Sequence, residues 1–312
     1  MSLESQITAL VNAANKLTSE VANKMKGIDS TLTSAQKKFD EFTGKDFPAR
    51  VSDARIITVY IDPENGDDDN SGLGSGAPFK SWGAVNGITG GAAPVYDRVV
   101  VRVRAGTTLV MNHAVYSKDS IEITPYGAVP PTSPATRLVQ GFYSGGVSEG
   151  RPMIPFRCNY VFINQNGDAD LEVHTAEFKE GHRWEQVDEE NREATWMCYA
   201  GAMIQNVPRV KLRNVRLCLH DMPLTTIYMG GSLGDYAQYQ LVLGAECEII
   251  GEQPGAGSPR YTHRPKLVHV YNNSRVPLDL IASKLTLSGS ISSMSDLFEN
   301  LSLENVRSSF TI

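Results

Sequence analysis

Residues 56–85 read IITVYIDPENGDDDNSGLGSGAPFKSWGAV, and three signals follow one another in them. Ile56 to Ile61 is rich in β-branched and aromatic residues and reads as a strand. Asp62 to Gly76 is dense in Asp, Asn and Gly, the ordinary turn formers. Pro78, Phe79, Lys80 and Ser81 then open a short helix, on which Phe79, Trp82 and Val85 fall at i, i+3 and i+6. The carboxylates Asp62, Glu64, Asp67, Asp68 and Asp69 are oxygen-dense enough for a hard cation such as calcium. They lack the D-x-D/N-x-D/N-G-x5-E order of a calcium-binding helix–loop–helix, so a solvated turn is the expectation.

This succession resembles the segment that opens the β domain of phage tailspikes, tail fibres and related pectate-lyase-like β-helix proteins. Their pattern is roughly Y-V/I-D-x-x-x-G-x-D-x-x-x-G-x-x-x-x-P-F-K-T/S, matched here by Tyr60, Ile61, Asp62, Gly66, Asp68, Gly72, Pro78, Phe79, Lys80 and Ser81. Where that family continues with an I-x-x-A helix, this chain has Trp82, Gly83, Ala84 and Val85, so the helix is expected to be short or differently packed. A stacked β-coil leaves unpaired backbone groups and an apolar end at its first rung, which a short amphipathic helix can cover. Phe79, Trp82 and Val85 are the expected core of that cap.

Upstream, apolar side chains recur at Leu3, Ile7, Leu10, Ala14, Leu17, Val21, Met25, Ile28, Leu32, Ala35, Phe39 and Phe42. This is a heptad seam with one stutter between Val21 and Met25, the signature of an α-helical coiled coil. Before the stutter Ile7, Ala14 and Val21 fall at a and Leu3, Leu10 and Leu17 at d, a dimer-like choice. After it Leu32 at a and Ile28 at d lean toward more strands. Val11 and Ala13 widen the first half of the apolar face, and a homotrimer is the expectation. The alternative is an amphipathic helix folded back on its own globular domain, which Gly27 favours by interrupting the stretch. Gly44 and Pro48 mark its end. A heptad helix set directly before the capping segment is the arrangement of phage fibre proteins.

The resulting plan is a coiled-coil stalk and attachment region at 1–44, a linker at 45–54, a capping segment at 55–92 and a β-rich domain at 93–312. That domain is expected from short strands in DRVVVRVRAG, TTLVMNHAVY, SIEITPYG, RLVQGFYS, YVFINQ and LEVHTAEF, joined by links rich in Gly, Pro, Ser and Asp. PYGAVPPTSPATR, with four prolines in thirteen residues, is an exposed loop or extended arm. In the last third, VKLRNVRLCLH, YQLVLGAECEIIG, PLDLIASKLTLSG and FENLSLENVRSSF form a loose repeat, with LRNVR at 212–216 echoed by LENVR at 303–307. A right-handed parallel β-helix and a β-sandwich both suit this composition.

A net charge of −6 over 312 residues disfavours nucleic acid as a partner, and Arg98, Arg102 and Arg104 on alternate strand positions read as a solvated face. No run of 18 apolar residues and no charged start before an apolar block is present, so neither membrane insertion nor a secretory signal is expected. Cys158, Cys198, Cys218 and Cys247 have neither zinc nor disulfide-framework spacing and read as buried thiols. The six histidines form no H-x-H or H-E-x-x-H, so no metal and no cofactor is expected.

Enzymatic tailspikes cut glycans with paired carboxylates. Asp168 with Asp170, Glu177, Glu189 with Glu190, Asp221 and Asp235 are available, yet no spacing selects a pair. His220 beside Asp221 is either a general-base pair or a hydrogen-bonded strand end. Tyr143, Trp184 and Tyr236 are the candidate sugar-stacking residues, among loop aromatics that include Tyr228 and Tyr239.

What the resemblance implies is a virion component of a phage tail, made in the host cytoplasm. Its N-terminal region would attach to tail or baseplate proteins, and the protein would serve host adsorption through a surface glycan without catalysis. The alternative is a glycoside hydrolase or lyase acting on capsule or lipopolysaccharide.

Overall fold

The computed structural model describes residues 2–46, 55–128, 135–144, 150–167, 170–179, 201–228, 238–253, 266–271 and 276–309. The chain divides into two compact units, Met1–Ala54 and Arg55–Ile312. In the first, helix α1 runs unbroken over Leu3–Glu41 and closes in a π-helical turn, Phe42–Asp46. Ser2 caps its start by accepting a hydrogen bond from the Ser5 amide, satisfying one of the orphan donors of the first turn. The helix passes straight through Gly27, whose carbonyl accepts a bond from the Thr31 hydroxyl at 2.9 Å. At 1.5 Å per residue the rod is about 60 Å long.

The second unit is mainly β. Its strands are numbered β1 to β18 in chain order and fall into three ladders. The first ladder holds β1 (Ile56–Ile61), β2 (Arg98–Arg104), β5 (Ser120–Tyr126), β8 (Tyr160–Ile163), β11 (Arg209–Arg213), β14 (Tyr239–Gly251), β16 (Leu278–Gly289) and β18 (Val306–Ser308). The second holds β3 (Thr108–Met111), β6 (Thr136–Gln140), β9 (Leu171–His174) and β12 (Val215–Leu219), and continues into the far halves of β14 and β16. The third holds β4 (Val115–Tyr116), β7 (Phe156–Arg157), β10 (Ile204–Gln205), β13 (Thr225–Tyr228), β15 (Val268–Tyr271) and β17 (Phe298–Glu299). From β2 to β13 the chain visits the three ladders in strict rotation. Among the described residues every ladder is parallel, and one isolated antiparallel bridge joins Phe142 to Pro152. A Greek-key sandwich would instead be built from antiparallel sheets.

Parallel stacking puts like residues on top of one another. Val59 pairs with Val101, Val101 with Ile123, Ile123 with Ile163, Ile163 with Leu212 and Leu212 with Leu243, and all six are buried. A second column runs Leu109, Leu138, Val173, Leu217, Ile249. Burying each such side chain stabilises by about 1.5–3 kcal/mol, so the columns are the main source of cohesion. The sequence interval between stacked partners changes from rung to rung, because loops of different length leave the ladders. For the same reason the LRNVR and LENVR echo is not a structural repeat: the first spans the β11–β12 corner, whereas Leu303–Asn305 is a 3-10 turn before β18.

The corners between ladders one and two need a left-handed residue. Asn164 (φ 56°), Asn214 (φ 50°) and Ala245 (φ 57°) take that conformation in successive rungs. Asn is suited to it and Ala is not. Asn164 also donates to the Asn214 carbonyl at 3.1 Å, tying two rungs together.

The start of the unit is covered from within. Helix α2 (Trp82–Thr89) buries Trp82, Val85 and Thr89, and Trp82 Nε1 donates to the His113 carbonyl at 2.9 Å. Phe79 forms a parallel bridge with Ile61, donating to the Tyr60 carbonyl and accepting from the Asp62 amide, so the free edge of β1 is partly paired. Two glycines make this approach possible. A Cβ on Gly66 would lie 2.2 Å from the Phe79 carbonyl oxygen, and one on Gly72 would lie 2.2 Å from the Phe79 ring.

Candidate functional site

Helix α1 and the turn that follows it carry an exposed apolar stripe. Leu3, Ile7, Leu10, Ala14, Leu17, Val21, Met25, Ile28, Leu32, Ala35, Phe39 and Phe42 are all exposed in the single chain, with Leu10 72% and Leu32 66% accessible. None of the helix's residues is buried.

The acidic turn serves the fold. Asp62 Oδ1 accepts from the Glu64 and Asn65 amides. Asp68 accepts from the Lys80 and Ser81 amides at 2.9 and 2.8 Å and from the Ser81 hydroxyl at 2.7 Å. Burial opposes ionisation of Asp68, but the Ser81 and Lys80 donors outweigh it and hold the carboxyl below its usual range. Its oxygens fasten the start of α2. Among the described residues no group of three or more His, Cys, Asp or Glu side chains is placed to hold a metal ion.

The second ladder carries a different surface. Register aligns Arg137 on β6, Glu172 on β9, Arg216 on β12 and Glu248 on β14 in one row of alternating charge. Arg137 Nε donates to Glu172 Oε2 at 2.7 Å, and Arg216 Nη2 to Glu172 Oε1 at 2.9 Å. Burial disfavours the Glu172 anion, yet the bonds from Arg137 and His174 and the charge of Arg216 prevail and lower its pKa. Two positions along, His174 Nε2 lies 3.2 Å from Glu172 Oε2 and His174 Nδ1 lies 3.1 Å from His220 Nε2. The two rings meet edge to edge, with planes 21° apart and centroids 5.4 Å apart.

Local backbone bonds hold this pair in place. The His220 amide donates to Thr175 Oγ1 at 2.8 Å, and Asp221 Oδ2 accepts from the Phe178 amide at 2.7 Å. Gln140 accepts from the Ala176 amide and donates to the Met153 and Gly201 carbonyls. Burial, then the neighbouring His174, lowers the His220 pKa against the opposing pull of Glu252, Glu177 and Asp221. At the other end of β12 a groove of about 340 Å³ is lined by Asp170, Asn214, Arg216, Glu246, Glu248 and Lys284 among others.

The remaining candidates scatter. Tyr143 is half-buried in a loop pinned by its amide bond to the Arg151 carbonyl. Trp184 and Tyr236 lie outside the described residues, as do Asp168, Glu189, Glu190, Asp235, His182, His263 and Cys198. Tyr239 is in the core, 5% exposed, and Tyr228 lies in β13. Asp170 is exposed and paired with Arg216 at 3.2 Å. Asp221 bonds the Phe178 amide and is among the charges that act on His220, whose ring also meets His174, 46 residues earlier. Cys218 and Cys247 are buried and Cys158 is half-buried. Burial pushes the thiols of Cys158 and Cys218 up to about 12, which makes them poor nucleophiles at neutral pH.

No described helix is long and apolar enough to cross a membrane. No protein-family model, no curated protein and no solved structure matches the chain.

Proposed function

We propose that this chain is a structural or receptor-binding component of a bacteriophage tail, a tail fibre or tailspike-like protein. In it α1 forms a three-stranded coiled coil with two further copies, and the ladders form a right-handed parallel β-helix. The observation that carries this reading is the α1 seam: a helix of 39 residues whose heptad positions are all exposed. Burying ten such side chains between copies would supply on the order of 15 kcal/mol or more per chain, and like helices repeat the same spacing. The first strand, whose outer edge is partly paired by Phe79, supports a fibre plan as well, since it leaves less open sheet edge where a stalk precedes the β unit in the chain. In this reading the N-terminal region attaches to tail or baseplate proteins and the β unit meets a host surface glycan.

The test is localisation on the particle. Antibodies against the β unit should decorate the tails of phage particles from cells that express the chain, and block their adsorption. Particles decorated nowhere, with adsorption unchanged, would remove the proposal.

A second reading, cleavage of capsule or lipopolysaccharide, is favoured by Glu246 and Glu248 in the groove beside Asp170. New reducing ends after incubation with such glycans, lost in Glu248→Gln, would establish it. Unchanged chain length would leave the adhesive reading alone.

A further inference from the structure

The first ladder has an outward face as well as its inward columns. Val101, Ile123, Ile163 and Leu212 are buried within, so the residues alternating with them point out. Register sets Arg98, Ser120, Tyr160 and Arg209 in one outward row and Val100, Glu122, Phe162 and Lys211 in the next. Arg102 and Arg104 continue the face along β2, beside Thr124 and Tyr126. Its two carboxylates among the described residues are already engaged: buried Glu122 pairs with Arg98, and Asp279 with Arg307 at 2.7 Å. Arg102, Arg104, Arg209 and Lys211 form no ion pair among the described residues. The second ladder is different, since Glu172 answers Arg137 and Arg216 there and Glu246 answers Lys284. In a chain of net charge −6, unanswered positive charge is thus gathered on one face. Aromatic rings lie among these cations. Tyr160 and Phe162 are half-buried, with planes 18° apart and centroids 6.4 Å apart. The Arg209 guanidinium carbon lies 5.6 Å from the Tyr160 centroid, and that of Arg104 lies 5.8 Å from the Tyr126 centroid.

We propose that the outer face of the first ladder binds an acidic polysaccharide. Its sugar rings lie against Tyr160 and Phe162, and its carboxylates meet Arg102 and Arg104 on one side and Arg209 and Lys211 on the other. This assignment rests on the adhesive reading, which makes the ligand a glycan, and adds the class of glycan and its place. Strands β2 and β11 are three strand spacings apart, about 14 Å, and the rings of β8 stand between them. A ligand that fits therefore carries anionic groups separated by uncharged rings with apolar faces. Nucleic acid is the poorer match, because each strand carries a phosphate about every 3.4 Å, too dense for cations set in two separate groups. Neither ring was among the loop aromatics that the sequence suggested for sugar stacking. Tyr160 meets Arg209, 49 positions later in the chain, only through the pairing of β8 with β11.

The probe is immobilised alginate, a polyuronate, beside neutral dextran, with the full chain in solution. The chain should be retained by alginate and not by dextran, and affinity should fall about tenfold or more between about 50 and 500 mM salt. The triple variant Arg102→Ser/Arg209→Ser/Lys211→Ser should weaken alginate binding about tenfold or more and flatten its salt dependence. Tyr160→Leu should weaken binding while keeping the salt dependence, and Lys80→Ser, which removes an exposed cation of the capping segment, should change nothing. Each variant should keep the native circular dichroism. No retention by alginate, equal retention by dextran, or native affinity in the triple variant overturns the inference, as does tighter binding of poly-dT than of alginate. The salt titration uses the unmutated chain, so an affinity indifferent to salt overturns it without any variant. Decorated phage tails together with a chain that alginate does not retain would remove this face and leave the adhesive reading. Undecorated particles, with alginate retained and the triple variant weakened, would remove that reading and keep the polyanion-binding face.

Discussion

Single residues set the most local tests. Gly72 sits at φ +67° with the Phe79 ring where a Cβ would go, so Gly72→Ala should destabilise by about 2 kcal/mol or more, measured by urea unfolding. Ala245 holds a left-handed corner where the rungs below use Asn164 and Asn214, and Ala245→Asn should stabilise by about 1 kcal/mol. His220 makes stability fall on acidification. The His220 pKa is lowered in the fold, so its contribution is complete above the unfolded value of about 6.5 and is lost as pH drops through the folded one. Glu172, also lowered, adds a second loss beginning near pH 4.3. Urea midpoints should therefore decline from pH 7.5 to 5.5 in the native chain and decline less in His220→Gln. The sequence displayed both histidines and gave no reason to join them: residues 46 apart meet only because β9 and β12 are stacked neighbours, with β10 and β11 between them in the chain.

Elements differ in how openly the sequence announced them. Apart from the three-residue β18, the strands of the first two ladders run four to thirteen residues with apolar positions stacked inward, which is enough for alternation to show, as in IITVYI and YQLVLGAECEIIG. The third ladder went unseen because β4, β7, β10 and β17 are two residues long, too short for a period-two alternation to repeat. The capping segment was legible as strand, turn and helix. Its need for Gly66 and Gly72 became physical only once Phe79 was found lying across them. Trp82 is fully buried, packs edge-on against Phe156 with centroids 6.1 Å apart, and anchors α2 through its indole N–H. Trp82→Ala should cost about 3–5 kcal/mol, seen as a lower unfolding midpoint and as faster amide exchange in α2 and β1 than in β14.

For the whole molecule, the two units obey different rules. In the β unit aliphatic columns are buried within the ladders, and the first edge is partly paired from within. The helix differs, since its apolar stripe has no buried member in the single chain. Heptad spacing made that stripe visible in the sequence, while the number of strands rests on a dimer-like first half and a higher-order second half at the stutter between Val21 and Met25. The most direct test is sedimentation equilibrium of the full chain beside Leu10→Asp/Leu17→Asp, which sets two carboxylates in the proposed seam. The account predicts three chain masses for the native protein and one for the variant, with the β unit's circular dichroism intact. A native protein that sediments as a single chain at micromolar concentration, or a variant that stays trimeric, would contradict it.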